Sequence, residues 1–285
     1  MGGDPRGAYG FRLVPTHDLE LPDLVGVEAG AEAVALECRH ATALVDRLEL
    51  TEESIVASSR ESSLIAVHRD PLSITLALPN PTTPEELVHP VLTMPISILA
   101  RWRGDLTLHA GCFYAGDRAW GVMGPREAGK STMLANLAER EVPLLADDLL
   151  VFDQGFVHPG PSCIDLRPDV AERMPEARFL GEINDRARYR LTTPPPPSRP
   201  RLGGFFFLSW GEEERVEVTR MEASEALRVL YEQEYIGLLG PADPLKILDL
   251  LGTPMWRVER PADWRFTEET LDRILEAAAA GAVTG

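Results

Sequence analysis

Gly124-Pro125-Arg126-Glu127-Ala128-Gly129-Lys130-Ser131 satisfies the pattern G-x-x-x-x-G-K-[ST], and Thr132 follows it. The chemistry such a segment supports is the binding of nucleotide phosphates. Successive backbone N–H groups converge on phosphate oxygens, and the N-terminus of the following helix adds partial positive charge. In this pattern Lys130 reaches the β- and γ-phosphates and the Ser131 hydroxyl ligates Mg²⁺. Gly124, Arg126, Glu127, Ala128, Gly129, Lys130, Ser131 and Thr132 are therefore the expected nucleotide-binding residues, with ATP and Mg²⁺ as cofactors. Arg126 and Glu127 stand where small residues are common. A Glu127 carboxylate near phosphate lowers affinity unless it points outward or pairs with Arg126.

Phosphate transfer to a hydroxyl also needs a metal partner and a base. Leu144-Leu145-Ala146-Asp147-Asp148 offers two carboxylates at a strand end. Side chains alternate along a strand, so both can serve one site only if the strand has just ended. One then reaches the Mg²⁺ shell and the other the acceptor hydroxyl. Taken alone, the pair could equally cap the next turn. Its place downstream of the loop favours the chemical role. His109, in Leu106-Thr107-Leu108-His109-Ala110-Gly111, lies one strand before the loop and is a further candidate.

The elements that position these residues can be read from pattern. Arg118–Met123 is a strand that runs into the loop, preceded by Leu106–Gly116 as another strand and a tight turn near Gly116-Asp117. Ser131–Arg140 carries Leu134, Leu137 and Ala138 on one helical face. Val142–Phe152 is a strand interrupted by the two aspartates. Residues 8–80 read as short strands, and a helical segment over 84–103 opens at Thr83-Pro84-Glu85-Glu86, with breaks or kinks expected at Pro90 and Pro95. Thr192–Pro200 is a polyproline-prone connector. Gly203–Trp210 is a buried strand. From 222 onward the pattern is helical, with a short strand at Met255–Pro261, and the last residues, from Ala277, are expected to fray. Two sections follow: a β-rich part, 1–103, packed on a core, 104–285, with a helical C-terminal part.

Among 285 residues, 28 are Lys or Arg and 45 are Asp or Glu, a net charge of -17. Long-range repulsion argues against a non-specific nucleic-acid partner and suits a basic acceptor segment. No run of about 18 apolar residues suggests a membrane span. The N-terminus lacks a basic region followed by an apolar stretch, and Cys38, Cys112 and Cys163 share no metal-ligand spacing. A reducing, cytoplasmic location is expected.

The order His109-Ala110, Gly124–Ser131, Ala146-Asp147-Asp148 resembles the catalytic domain of HPr kinase/phosphorylase and its shorter HprK-related relatives. The resemblance is strongest over about 106–152. Weaker echoes are Ile164–Met174, the Phe205–Trp210 strand and Trp256–Trp264. It implies an α/β fold of the HPr kinase and phosphoenolpyruvate carboxykinase type, with a mixed central sheet, flanking helices and a β-rich N-terminal section. It also implies Asp148 as the base, Asp147 beside the metal and His109 near the transferred phosphate. Catalytic roles then fall to Asp148, His109 and Lys130, and metal ligation to Ser131 and Asp147. The implied activity is that of an ATP-dependent phosphotransferase acting on a serine hydroxyl of a peptide or protein. Relatives include kinases of lasso-peptide precursors. A small-metabolite kinase and a nucleotide-binding regulator without transfer are the alternatives, and a homo-oligomer is left open. Two departures stand out. The fourth loop residue is Glu127 where the family usually has Gly, and the family's second signature is matched only loosely, by Phe179–Asp185. Phosphorylase activity, the HPr substrate and the hexamer are not carried over. Arg167, Arg188 and Arg190 are further candidates for phosphate or acceptor contacts.

Overall fold

The computed structural model describes residues 5–41, 46–58, 64–78, 82–183, 186–235 and 237–283. In the first part of the chain, apolar residues two apart build a sheet with one buried face. The strands are β1 (Arg6–Ala8), β2 (Phe11–Pro15), β3 (Val25–Gly26), β4 (Glu32–His40), β5 (Arg47–Leu50), β6 (Ser54–Ser58), β7 (Leu64–His68) and β8 (Ser73–Leu78). Their order is β3-β1-β2-β4-β8-β7-β6-β5, with β2, β4 and β8 mutually parallel. Phe11 and Leu13, Val34 and Leu36, and Ile74 and Leu76 are buried at that two-residue spacing.

Thr83 starts the first helix, α1 (Pro84–Glu86), with a reciprocal cap. Its hydroxyl accepts from the Glu86 N–H at 3.2 Å, and its own N–H donates to the Glu86 carboxylate at 2.8 Å. The chain then bends at His89, whose φ of −151° and ψ of 126° are extended, as the residue before Pro90 prefers. The second helix, α2 (Thr93–Arg103), follows. Pro95 does not kink it. It lies in the first turn, where its missing N–H has no intrahelical partner to lose. Helix α2 packs into one apolar cluster with the first sheet and with Leu149 and Val151 from the rest of the chain.

The remaining elements are β9 (Leu106–His109), β10 (Gly111–Ala115), β11 (Arg118–Met123), α3 (Lys130–Glu139), β12 (Leu144–Ala146), β13 (Leu149–Asp153) and β14 (Phe156–His158). Then come β15 (Cys163–Leu166), α4 (Pro168–Ala171), β16 (Arg178–Ile183), β17 (Arg186–Thr192), β18 (Leu202–Trp210), β19 (Glu217–Arg220), α5 (Ala223–Glu232), α6 (Pro244–Leu248), β20 (Met255–Arg260) and α7 (Thr267–Val283). A six-stranded sheet runs β12-β10-β11-β18-β20-β19, and within it β11, β18 and β20 are parallel. Strand β18 is buried on both faces, which explains its unbroken apolar run. Phe206 and Leu208 join α3 and α7 on one face, and Phe205 packs with Val229, Leu230 and Ile247 on the other. Two three-stranded sheets, β14-β13-β9 and β15-β17-β16, complete the mixed α/β architecture with flanking helices.

Two further expectations are corrected. Leu106–Gly116 is two strands in two sheets, because the chain crosses from β9 to β10 at Ala110. A Cβ on Gly111 would stand 2.3 Å from Leu134 Cδ1 and 3.0 Å from the Asp147 carbonyl oxygen, so the crossing needs a glycine there. The C-terminal alanines are helical, and Thr284 and Gly285 lie outside the described residues. Helix α7 continues to Val283, with Ala278 buried against the central sheet. Among the described residues, no helix is long and apolar enough to cross a membrane.

Candidate active site

Two chain crossings lie side by side and carry the candidate side chains. Segment 106–115 passes from the small sheet to the central sheet at Ala110, and segment 144–153 makes the reverse passage at Asp147-Asp148. Strand β9 pairs antiparallel with β13, placing His109 opposite Leu149, and β10 pairs with β12, placing Cys112 opposite Ala146. The strand has ended at the aspartates, so both carboxylates line the same cleft, together with His109.

The glycine loop leaves the carboxyl end of β11 beside the parallel strand β18, where α/β sheets open a crevice. Helix α3 starts at Lys130, with Gly129 as its N-cap at a left-handed φ of 79°. The first-turn N–H groups of Lys130, Ser131 and Thr132 lack intrahelical partners by helix geometry. Lys130 Nζ donates to the carbonyls of Gly124 at 2.9 Å and Pro125 at 3.3 Å. The Ser131 hydroxyl donates to Asp147 Oδ1 at 3.3 Å. Gly124, Arg126, Glu127, Gly129, Lys130, Ser131 and Thr132 all line a cleft of about 1200 Å³. Ala128 faces the core instead, and its N–H donates to the Pro125 carbonyl at 3.1 Å.

Glu127 does not pair with Arg126. Its backbone is left-handed, at φ 67°, and its carboxylate, 65% exposed, pairs with Arg167 at 3.4 Å. Arg167 and Arg188 line the cleft. Arg190, the third candidate for phosphate or acceptor contact, does not line it. Its buried guanidinium binds Asp165 at 2.6 Å and Asp23 at 3.3 Å, and donates to the carbonyls of Glu85 and His89. The loosely matched Phe179–Asp185 segment forms β16 up to Ile183; Asn184 and Asp185 lie outside the described residues.

His89, from the bend before α2, was not signalled by the sequence. It is buried, with Nε2 3.5 Å from Asp147 Oδ2 and Nδ1 3.3 Å from the Thr93 hydroxyl. The Asp165 N–H also donates to Asp147 Oδ2, at 3.2 Å. One Asp147 oxygen is thus engaged from behind, and the other faces Ser131. A serine hydroxyl beside a carboxylate is a hard oxygen set that suits Mg²⁺. His89, Asp147 and Asp148 also hold ligand atoms within 4.8 Å of one another.

The charges shift one another. Asp148 is raised above the ordinary carboxylate range by the Asp147 charge and by burial, against the pull of His89, His109 and Lys130. Lys130 is lowered by burial, although Asp148 and Asp147 oppose this. His109 is lowered by burial, with Asp148 pulling the other way and Lys130 pushing further down. Burial pushes His89 down as well, but its contact with Asp147 prevails and the imidazole is raised.

The sequence also did not point to Trp210 and Arg260, at the carboxyl ends of β18 and β20. The indole Nε1 donates to the Glu127 carbonyl at 3.1 Å, and Arg260 donates to the Ala128 carbonyl at 2.8 Å. The signal that could have found them is positional, since carboxyl ends of parallel strands beside such a loop face the same crevice.

Fold and site together define a mixed α/β protein with a glycine loop, a helix N-terminus and two carboxylates around one cleft. No family model matches the chain, and no curated protein matches it. Among solved structures it is similar to the Hpr(Ser) kinase/phosphatase from Coxiella burnetii. That similarity has 13% identity and a TM-score of 0.32, over 63% of this chain and 99% of the other. A likeness of that size carries no argument about fold or activity.

Proposed function

We propose that the protein is an ATP-dependent phosphotransferase whose phosphate loop is Gly124–Ser131 and whose acceptor is a hydroxyl, most simply a serine of a peptide or protein. The observation that carries this reading is the contact of Ser131 Oγ with Asp147 Oδ1 at 3.3 Å, with Asp148 next in the chain on the same cleft. Those are the groups that phosphoryl transfer requires: a metal seat, a phosphate cation and a separate base.

In this reading Ser131 and Asp147 hold Mg²⁺, which supplies charge neutralisation at the phosphate oxygens. The loop N–H groups and Lys130 cradle the β- and γ-phosphates. Lys130 would exchange its carbonyl contacts with Gly124 and Pro125 for phosphate oxygens. Asp148 takes the acceptor hydroxyl proton as the oxygen bonds to the γ-phosphorus, and the β–γ bridging oxygen leaves with ADP. His109 lies beside the transferred group. The open cleft, about 1200 Å³, exceeds an ordinary ligand pocket of roughly 300–1,000 Å³ and leaves room for a peptide beside the nucleotide. Residues 104–285 carry the loop and both carboxylates, and the section 1–103 contributes His89 from behind.

The test is transfer from γ-labelled ATP with Mg²⁺ to a peptide pool, with mass spectrometry of the products. The expected result is a peptide gaining one phosphate, with Lys130→Ala reducing turnover by about a hundredfold or more. Asp148→Asn should retain ATP binding while losing about a hundredfold or more in transfer. Normal turnover by Lys130→Ala would refute the loop assignment. ATP binding with no labelled peptide would favour a metabolite kinase or a nucleotide-responsive regulator.

A further inference from the structure

A nucleotide held by its phosphates must also place its base, and one ring beside the loop is built to receive it. Trp210, at the end of a buried strand, is 47% exposed. It lines the cleft next to the loop residues. Its orientation is fixed at both its edge and one face. The edge N–H is bound to the Glu127 carbonyl at 3.1 Å, and the Arg260 guanidinium lies over the ring at 4.2 Å from its centroid. Arg260 is itself 93% buried by its 7% exposure, and among the described residues its Nη1 has no hydrogen-bond partner. A buried cation with an unused donor is costly unless something else justifies it, and stacking on an indole is a compensating contact. Arg260 lines the cleft as well, and the exposed part of the ring stands beside the loop that would bind the phosphates.

We propose that the open surface of Trp210 is the platform on which the purine base of the nucleotide stacks, with Arg260 holding the indole from behind. This deepens, and rests on, the nucleotide-binding reading of the loop. Trp264, 37% exposed, also lines the cleft, but its ring carries Arg173 at 4.3 Å and no described hydrogen bond ties it to the loop. Trp210 is the better platform because the same peptide segment that would receive the phosphates also orients the ring. Stacking is tolerant of base identity, so it supplies affinity, and discrimination among purines falls to edge contacts.

The experiment compares Mg·ATP with Mg·tripolyphosphate, a ligand that keeps the phosphates and lacks the base. Binding of each is measured by titration calorimetry to the full chain and to Trp210→Leu, Trp210→Phe and Trp264→Leu. The expected result is that Trp210→Leu weakens ATP by about tenfold or more while tripolyphosphate stays within about twofold, and that Trp210→Phe retains most of the ATP affinity. In the wild-type chain ATP should quench indole fluorescence that tripolyphosphate does not, and the difference should vanish in Trp210→Phe. That readout stands if Trp210→Leu fails to fold. Equal loss of both ligands would overturn the proposal, since Trp210 would then only shape the loop. So would no loss, or a selective ATP loss in Trp264→Leu instead. A wild-type chain that binds neither ligand would remove the nucleotide reading itself; one that binds both without a selective Trp210 effect would remove only the base platform.

Discussion

Gly129→Ala probes how the loop is held from behind. Gly129 is left-handed, at φ 79°, a backbone region that costs an alanine about 1–2 kcal/mol. A Cβ there would also stand 2.7 Å from Arg260 Nη2 and 3.3 Å from the Trp210 ring. The end of an arginine often moves aside cheaply. This one is buried and tied to the Ala128 carbonyl at 2.8 Å, so yielding breaks a charged hydrogen bond, about 1.5–3 kcal/mol. The sum is about 2.5–5 kcal/mol, against about 1–2 kcal/mol for a dihedral penalty alone. Gly155→Ala supplies that comparison within the same protein. Gly155 has φ 88°, and nothing lies within 4 Å of its added Cβ. At about 2–4 °C per kcal/mol, thermal unfolding should shift by a few degrees for Gly155→Ala and by at least about twice as much for Gly129→Ala. Urea denaturation gives the free energies directly. Equal losses in the two variants would refute the claim that Arg260 and Trp210 are rigidly packed against the loop.

Two further outcomes follow from the buried histidines. On the proposed reading in which Asp147 helps seat Mg²⁺, His89→Leu removes the group behind Asp147 Oδ2 and should weaken Mg²⁺ activation by about tenfold to a hundredfold. Nucleotide binding without metal should change far less; an unchanged Mg²⁺ requirement would sink the idea. His158 is lowered to about 4 by burial and by the nearby Arg103 and Arg199 charges, well under the ordinary value near 6.5. The unfolded chain therefore binds that proton more readily. Stability should fall as pH drops from about 6.5 toward 4, by at most about 1.4 kcal/mol per pH unit from this group. Denaturant titrations of wild type and His158→Gln check it, and the same slope in both would exclude His158 as the source.

Much of the scaffold was legible because its signals are local. The apolar run of Gly203–Trp210, the capping box at Thr83–Glu86 and the helical spacing of Leu134 and Leu137 depend on neighbours a few residues away. The sheet switch inside Leu106–Gly116 was not legible. A continuous β-prone run does not say which partner strand each half will find: β10 pairs with the next strand, β11, whereas β9's partner, β13, lies far along the chain. The straightness of α2 at Pro95 was missed for a simpler reason: the helix begins after Pro90, so Pro95 falls in the first turn.

By itself the sequence determined the candidate groups and their order, namely His109, the Gly124–Ser131 loop, and Asp147 with Asp148. Glycine and hydroxyl positions within a loop are set by short-range backbone geometry, which spacing records. Only the tertiary structure decided what stands around them. His89 reaches Asp147 from 58 positions earlier, Glu127 turns to Arg167, Arg190 is withdrawn into a buried ion network, and Trp210 and Arg260 close behind the loop. Each of these contacts joins elements far apart in sequence. Their partners are chosen by how sheets and helices pack, and no local pattern encodes that choice.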